Sequence, residues 1–424
     1  WYKLRGRWHD VGLHALTNFA RPAERGKPLA RVLRQLRIPH SELRLGEQRG
    51  SRIDFPEVCL HFENGIGRLR EEITRHFPAQ VAGFDRLLHD LADYPEPSSA
   101  PGSTARGLLP RYFSDPHLIE MLLTPICWYG SPSEDDVSWS SFVVLFKSIF
   151  EEGLARPEGG VRRLLEILRG RLLEEGGALF LRAGVAVIHG AQGAVHAVEL
   201  DDGRMIRTRR VISSAGWDET LRLCSPGALP TVACSSEREA RLSFLESISI
   251  LDRPLVALGH EATIVFFNLA PTLRWRRPVE AVDYQSGVIC APDNYLAPGN
   301  AGEGTLRLTL LANHALWTTY ADEAYAAKKE EVWREAHARI RRFVPDIRPY
   351  VVDRDVFTPR TIERFTGHIG GAVYGSPIKH PAGETPLAGL YVCGTDQGLL
   401  GIVGAMLSGI AVANRHVLTG ALAT

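Results

Sequence analysis

Residues Tyr391–Leu418 read YVCGTDQGLLGIVGAMLSGIAVANRHVL, an apolar strand that runs through a glycine-studded turn into a helix of mostly small residues. Gly394, Gly398, Gly401, Gly404 and Gly409 carry no side chain to hold a ligand away, so a bound group can approach this backbone closely. The helix opens near Ile402, where free N–H groups and the positive end of the helix dipole favour an electron-rich partner. The same residues also suit a helix packed tightly on a sheet through Gly404, Ala405, Ser408 and Gly409, and both readings stay open on this stretch alone. Either one calls for an α/β fold.

Composition narrows the class. A chain of 424 residues with 45% hydrophobic content can build two or three domains around sizeable cores. Its 49 basic and 49 acidic residues cancel, which removes the global field that would draw nucleic acid, so no nucleic-acid partner is expected. Cys59, Cys127, Cys224, Cys234, Cys290 and Cys393 are scattered without a CxxC pair and read as buried thiols of a reducing compartment, with no metal site. No apolar window approaches the ~20 residues of a spanning helix, and no signal-peptide pattern opens the chain. The expected location is cytoplasmic, with peripheral contact on a membrane left open.

Along the chain, GKPLARVLRQLRIP predicts a helix stopped by Pro39, and residues 67–94 predict helix broken at Pro78. Lipophilic helical sequence continues through SDPHLIEMLLTPICWYG and SWSSFVVLFKSIFEEGLA. Residues 161–176 place Val161, Leu164, Leu165, Leu168 and Leu172 on one stripe, predicting an amphipathic helix packed on a sheet. Short strands with Gly and Asp turns follow to residue 216, and residues 242–317 are rich in strand-like runs that predict an antiparallel sheet. The charged stretch after them predicts a helix that turns Val332, Ala336, Ile340 and Phe343 inward and ends at Pro345.

Three stretches carry chemistry. In the closing one, the helix start suits the charge that develops at the N1/C2 carbonyl edge of a reduced flavin, and Asp396 could accept from a ribityl or ribose hydroxyl. In the second, the strand at Val185 and Ile188 could pair its backbone with an adenine, and RVISSAG ends in a small-residue turn at Ser213, Ser214 and Gly216 suited to a pyrophosphate. In the third, FTPRTIERFTGHIGGAVYGSP, glycines bracket His368 and Tyr374, two side chains able to handle protons. Turn formation and buried hydrogen bonds explain the second and third stretches as well.

Taken in order, these segments resemble the phytoene desaturase-like FAD-dependent oxidoreductases, in particular the retinol saturase-like branch. The resemblance rests on Asp10-Val11-Gly12-Leu13-His14, on Pro157-Glu158-Gly159-Gly160 followed by a strand and Asp202-Gly203, and on Val211-Ile212-Ser213-Ser214-Ala215. It continues through Ala372-Val373-Tyr374-Gly375 and the closing segment from Leu390 to Gly409. It implies a two-dinucleotide-binding-type (Rossmann-like) FAD domain formed by residues 1–60, 155–235 and 385–424. A helical region at 61–154 and a substrate domain with an antiparallel sheet at 236–384 complete the expected organisation. By resemblance FAD is the cofactor: Gly12 and His14 lie near the ring, and Val185 contacts the adenine. Asp396 approaches the ribityl or phosphate region, Ile402 and Val403 present backbone N–H groups to the isoalloxazine, and Ser214, Ala215, Gly394, Thr395, Gly401 and Gly404 complete the expected cofactor-binding set. His368 and Tyr374 are the candidate catalytic residues.

The family's GxGxxG turn is absent: GLLGIVG has the wrong spacing and GIGRLR lacks the third glycine. The expectation is an N-terminally incomplete chain that lacks one βαβ unit of ~30 residues or somewhat more, with natural loss of flavin binding as the competing explanation. The activity implied is addition or removal of hydrogen across a carbon–carbon bond of a lipophilic polyene or isoprenoid, with an electron partner that the sequence does not identify. A flavin-dependent polyene cis–trans isomerase and a non-catalytic lipid-binding scaffold are the rival readings.

Overall fold

The computed structural model describes residues 2–12, 15–94, 102–229, 241–296 and 302–418. Among them, the central element is a seven-stranded sheet in the order Val351–Phe357, Ser243–Leu251, Gly304–Ala312, Ser286–Cys290, Ile264–Asn268, Ser51–Asp54, Cys59–Phe62. Pairing is antiparallel except where Ser51–Asp54 runs parallel to Ile264–Asn268.

Because side chains alternate across a strand, the sheet has two distinct faces. One carries Phe244, Ile264, Phe266, Val288, Cys290 and Leu311 into the core shared with the helical region. The other packs Leu245, Val265, Phe267, Ile289 and Leu308 against Val332, Trp333 and Ala336 of the helix Asp322–Arg339. The predicted inward residues Ile340 and Phe343 are buried there too.

The helical region forms where its spacing predicts. Gly67–His76 and Val81–Ala92 are separated by a 3-10 turn at Pro78–Gln80, since proline removes a donor and clashes with the preceding turn. Pro116–Gly130 starts at Asp115, whose carboxylate accepts the His117 N–H at 2.8 Å, a typical N-cap. It is buried nearly all round, so it shows no polar face.

A third part holds the strands read as cofactor-binding. Val211–Ser213 pairs in parallel with Leu390–Val392, joining the RVISSAG stretch to the closing strand. Val185–Ala191, Ala194–Leu200 and Met205–Arg207 form an antiparallel meander beside them.

Three expectations need correction. Residues 51–60, assigned with the flavin-binding segment 1–60, run through two strands of the central sheet, Ser51–Asp54 and Cys59–Phe62, by a parallel pairing that no local pattern announces. The helix Val161–Glu174 buries only Leu164 of its predicted stripe, whereas Leu165 and Leu172 are 48% and 43% exposed. The stripe opens onto a groove rather than a sheet. Finally, Gly401–Leu418 is long and apolar enough to cross a membrane by length and composition.

Candidate functional site

Asp10 opens the loop that leaves the strand Arg7–His9. Its carboxylate accepts from the Arg156 guanidinium at 2.6 Å and from the Val161 N–H at 3.1 Å. Gly160 makes this possible: a Cβ there would stand 1.9 Å from Asp10 Oδ2, and its φ of +84° disfavours any other residue. Two residues on, the Gly12 carbonyl accepts from Arg307 at 3.2 Å, and a Cβ on Gly12 would meet nothing within 4 Å. Two arginines therefore clamp a loop whose far side is open. His14 lies outside the described residues.

Across from this loop stands the helix Gly401–Val412. Its N-cap position, Leu400, offers no side-chain hydrogen bond, so the first-turn N–H groups of the helix have no side-chain cap. Gly401, Ile402, Ala405 and Met406 share with Asp10, Val11 and Leu165 a largely apolar groove of about 710 Å³, in the size range of small-molecule sites. Gly404 lets the helix close on the preceding turn, where a Cβ would stand 2.9 Å from the Leu399 carbonyl carbon. Gly394 has φ +96° with open space around it, and its N–H donates to Ser408 Oγ at 2.6 Å.

Asp396 is placed otherwise than the sequence suggests. Only 1% exposed, it accepts from the Trp217 N–H at 2.6 Å and the Ser376 N–H at 2.7 Å, so both oxygens are engaged by backbone. Lys379 Nζ stands 3.9 Å away and donates to the Tyr374 carbonyl at 2.9 Å. Burial pulls the Lys379 ammonium down to about 8 against the opposing pull of Asp396. The Trp217 ring lies flat on the His380 imidazole, with centroids 3.4 Å apart. Asp396 thus ties together the loop after Val211–Ser213, the loop at Gly375–Pro377 and the closing turn.

His368 and Tyr374 do not converge. His368 Nδ1 faces Glu219 at 3.7 Å, in an ion cluster where Arg241 binds both Asp218 and Glu219. Glu219 is held down to about 2 despite its burial, with His368 beside it, the Ile369 N–H donating to it at 2.8 Å and the Arg241 guanidinium at 2.9 Å. The Tyr374 hydroxyl donates instead to the Trp128 carbonyl, and its ring packs edge-on to Phe244. Val185 is exposed at the start of the meander, as is Ser214, and Ala215 is half-buried just after the parallel strand. Thr395 opens the 3-10 turn Thr395–Gln397.

The largest omission of the sequence reading is on the sheet. Arg307 is 2% exposed and donates through Nε to Glu246 at 2.7 Å, placing a buried ion pair in the face under the helical region. Its signal was present: TLRLTLLAN and SFLESISIL each carry one charge inside an apolar strand. Around that face stand Trp128, Tyr129, Phe244, Phe266, Trp275 and Tyr374 in edge and tilted contacts.

No family model matches the chain. A solved oxidoreductase from Methanosarcina mazei superposes with a TM-score of 0.63 over 95% of this chain and 88% of its own, at 18% identity. A triple mutant of putrescine oxidase does so with a TM-score of 0.63 over 99% and 90%, at 15% identity. This is the two-dinucleotide-binding flavoprotein fold. Among sequence relatives, prolycopene isomerase 2, chloroplastic, of an Oncidium hybrid cultivar is 27% identical over 287 residues, 62% of this chain and 46% of that protein. The 4,4'-diaponeurosporene oxygenase of Staphylococcus haemolyticus is 23% identical over 277 residues, 64% of this chain and 54% of its own. The chain spans about half the length of these relatives. Within the two-dinucleotide-binding fold, the residues present leave room for a flavin: a Cβ on Gly12 or Gly394 would meet nothing within 4 Å, and the helix start has no side-chain cap. They include no GxGxxG turn for a pyrophosphate.

Proposed function

We propose that this chain belongs to an FAD-dependent oxidoreductase that adds or removes hydrogen across a carbon–carbon bond of a lipophilic polyene or isoprenoid. The observation that carries the reading is the groove in which the Asp10–Val11 loop and the uncapped helix start at Gly401–Ile402 face one another. When bound, FAD supplies hydride exchange at its N5. The chain's own part is to bind and orient. Backbone N–H groups at Ile402 and Val403 hold negative charge at the pyrimidine edge of the ring, and Gly12, Gly394 and Gly401 leave the backbone close. Val185 serves the adenine end, Ser214, Ala215 and Thr395 the ribityl and phosphate region, and Gly404 the packing beneath. Asp396 acts on this region indirectly, by fixing three loops. The pyrophosphate calls for a GxGxxG-type turn that these 424 residues do not contain.

On the substrate side, Trp128, Tyr129, Phe244, Phe266, Trp275 and Tyr374 make the core between the sheet and the helical region rich in aromatic rings, an apolar environment suited to a polyene. The names prolycopene isomerase and diaponeurosporene oxygenase support a polyene substrate. The first of them also favours a second reading, cis–trans isomerisation without net redox change. A cytoplasmic location with peripheral membrane contact is consistent with such a substrate and with the apolar face of Gly401–Leu418.

The test is anaerobic mixing of the reduced, FAD-loaded full-length protein with a panel of polyenes. A product two hydrogens heavier, with reoxidation of the flavin, supports saturation. A product of unchanged mass and altered retention supports the isomerase. Unchanged polyenes throughout would refute both.

A further inference from the structure

We propose that Arg307 is a positioning residue for the cofactor: from the central sheet it holds Gly12 and so sets the loop that forms one wall of the groove. The proposal rests on the oxidoreductase reading and gives a task to a buried charge that the sequence reading passed over.

The loop is fastened at both ends to one short strand, Ala155–Pro157. At its start the Asp10 carboxylate accepts from Arg156 at 2.6 Å and from the Val161 N–H at 3.1 Å. At its end Leu16 and Ala155 exchange backbone hydrogen bonds of 2.8 and 2.9 Å. Between these points stands Gly12, at a φ of +76° and with open space where a Cβ would be, so its own packing does not fix it. Its carbonyl accepts from Arg307 Nη2 at 3.2 Å. That contact comes from another part of the molecule, the strand Gly304–Ala312 of the seven-stranded sheet. Asp10 and Val11, the two residues before Gly12, line the groove of about 710 Å³ with Gly401 and Ile402. One hydrogen bond therefore separates Arg307 from the residue next to the groove wall.

Pairing with Glu246 does not by itself account for Arg307. Glu246 is 6% exposed and accepts from Arg307 Nε at 2.7 Å and from Nη2. A buried ion pair of this kind is commonly no more stabilising than apolar side chains of similar size. What apolar side chains could not supply is a donor for the Gly12 carbonyl. Glu246 fixes the planar guanidinium through two of its nitrogens, and the same fork then reaches the loop. Strand alternation puts Arg307 on the sheet face that carries Phe244 and Leu311 into the aromatic core. The residue thus links the substrate face to the cofactor loop, two surfaces whose relative placement decides whether hydride transfer is in reach.

The test compares three full-length proteins: wild type, Arg307→Lys, and the double variant Arg307→Met with Glu246→Leu. Each is titrated with FAD, read by quenching of flavin fluorescence, and unfolded in urea without FAD. The double variant swaps the pair for apolar side chains, so it should unfold close to wild type yet bind FAD about 10-fold or more weakly, the loss expected for one hydrogen bond to a charged group. Arg307→Lys keeps Glu246 paired but gives up the fork that serves Glu246 and Gly12 together, so it should fold and still bind FAD more weakly. A pair that is only structural gives a different pattern, in which FAD affinity returns together with stability. Wild-type FAD affinity in either variant overturns the proposal alone. A folded wild type that takes up no FAD overturns the flavoprotein reading, and the proposal with it.

Discussion

Asp396→Ala should unfasten the cofactor-side loops. The carboxylate accepts two backbone N–H groups, from Trp217 at 2.6 Å and Ser376 at 2.7 Å, in a site where its residue is 1% exposed. The fit leaves no slack: a Cβ on Gly375 would stand 2.0 Å from Asp396 Oδ1, so water has little room to replace the missing oxygens. Two buried N–H groups left unpaired at about 1–3 kcal/mol each give a loss of about 2–6 kcal/mol, and the buried Lys379 ammonium loses the nearby charge at 3.9 Å. That is a large part of a typical stability of about 5–15 kcal/mol. Asp396→Asn keeps one acceptor and turns an NH₂ toward the other donor, so it should lose about half as much. Urea unfolding followed by tryptophan fluorescence, in the absence of flavin, measures both. If Asp396→Ala stays within about 1 kcal/mol of wild type, the carboxylate is not the fastener of these loops and is free for the ribityl contact that the sequence suggests.

Gly160→Ala should cost about 2–4 kcal/mol, because its Cβ would stand 1.9 Å from Asp10 Oδ2 at a positive φ; denaturation midpoints check it, and a neutral result would mean that the Asp10–Arg156 pair can shift freely. Arg307→Met leaves Glu246 buried without its cation and should destabilise by about 3–5 kcal/mol, with much of the loss recovered when Glu246→Leu is added; additive losses in that double-mutant cycle would contradict the pairing. His260 and His337 are both held down to about 4 by burial, so the unfolded chain binds their protons first as pH falls. Their contribution is complete above about 6.5 and is lost as pH falls toward about 4, with a slope of up to about 2.7 kcal/mol per pH unit for two protons. Urea midpoints that do not move between pH 7 and pH 5 would refute it.

What could be read from the sequence was what local pattern controls. The break at Pro78, the helix Asp322–Arg339 with its inward Val332 and Ala336, and the strands Ile264–Asn268, Ser286–Cys290 and Gly304–Ala312 formed where spacing put them, whereas LVALGH at 255–260, read as a strand-like run, forms a 3-10 turn at Leu255–Leu258. The closing strand and the Val211–Ser213 strand came together as one parallel pair. Long-range pairing was not legible: Ser51–Asp54 joins the sheet beside Ile264–Asn268, and nothing near residue 51 announces a partner so distant in the chain. The leucine stripe of Val161–Glu174 was read as a packed face because periodicity reports that a face is apolar and not what covers it; Leu165 and Leu168 line the groove instead. In the site, glycines were informative because backbone space is a local property. Side-chain partners were not: Asp396 meets Ser376 and Trp217, and Arg307 meets Gly12, only once the fold has closed.

The most direct test of the account is FAD binding to the full-length protein, measured by the visible flavin absorption that stays with the protein after gel filtration, in wild type and in Gly401→Leu. The account predicts a yellow wild type with flavin near one per chain, and a Gly401→Leu variant that loses most of it while keeping its secondary structure, because the new side chain fills the helix start beside Thr17. A folded wild type that remains colourless after incubation with FAD, or a Gly401→Leu variant that stays equally yellow, would contradict it.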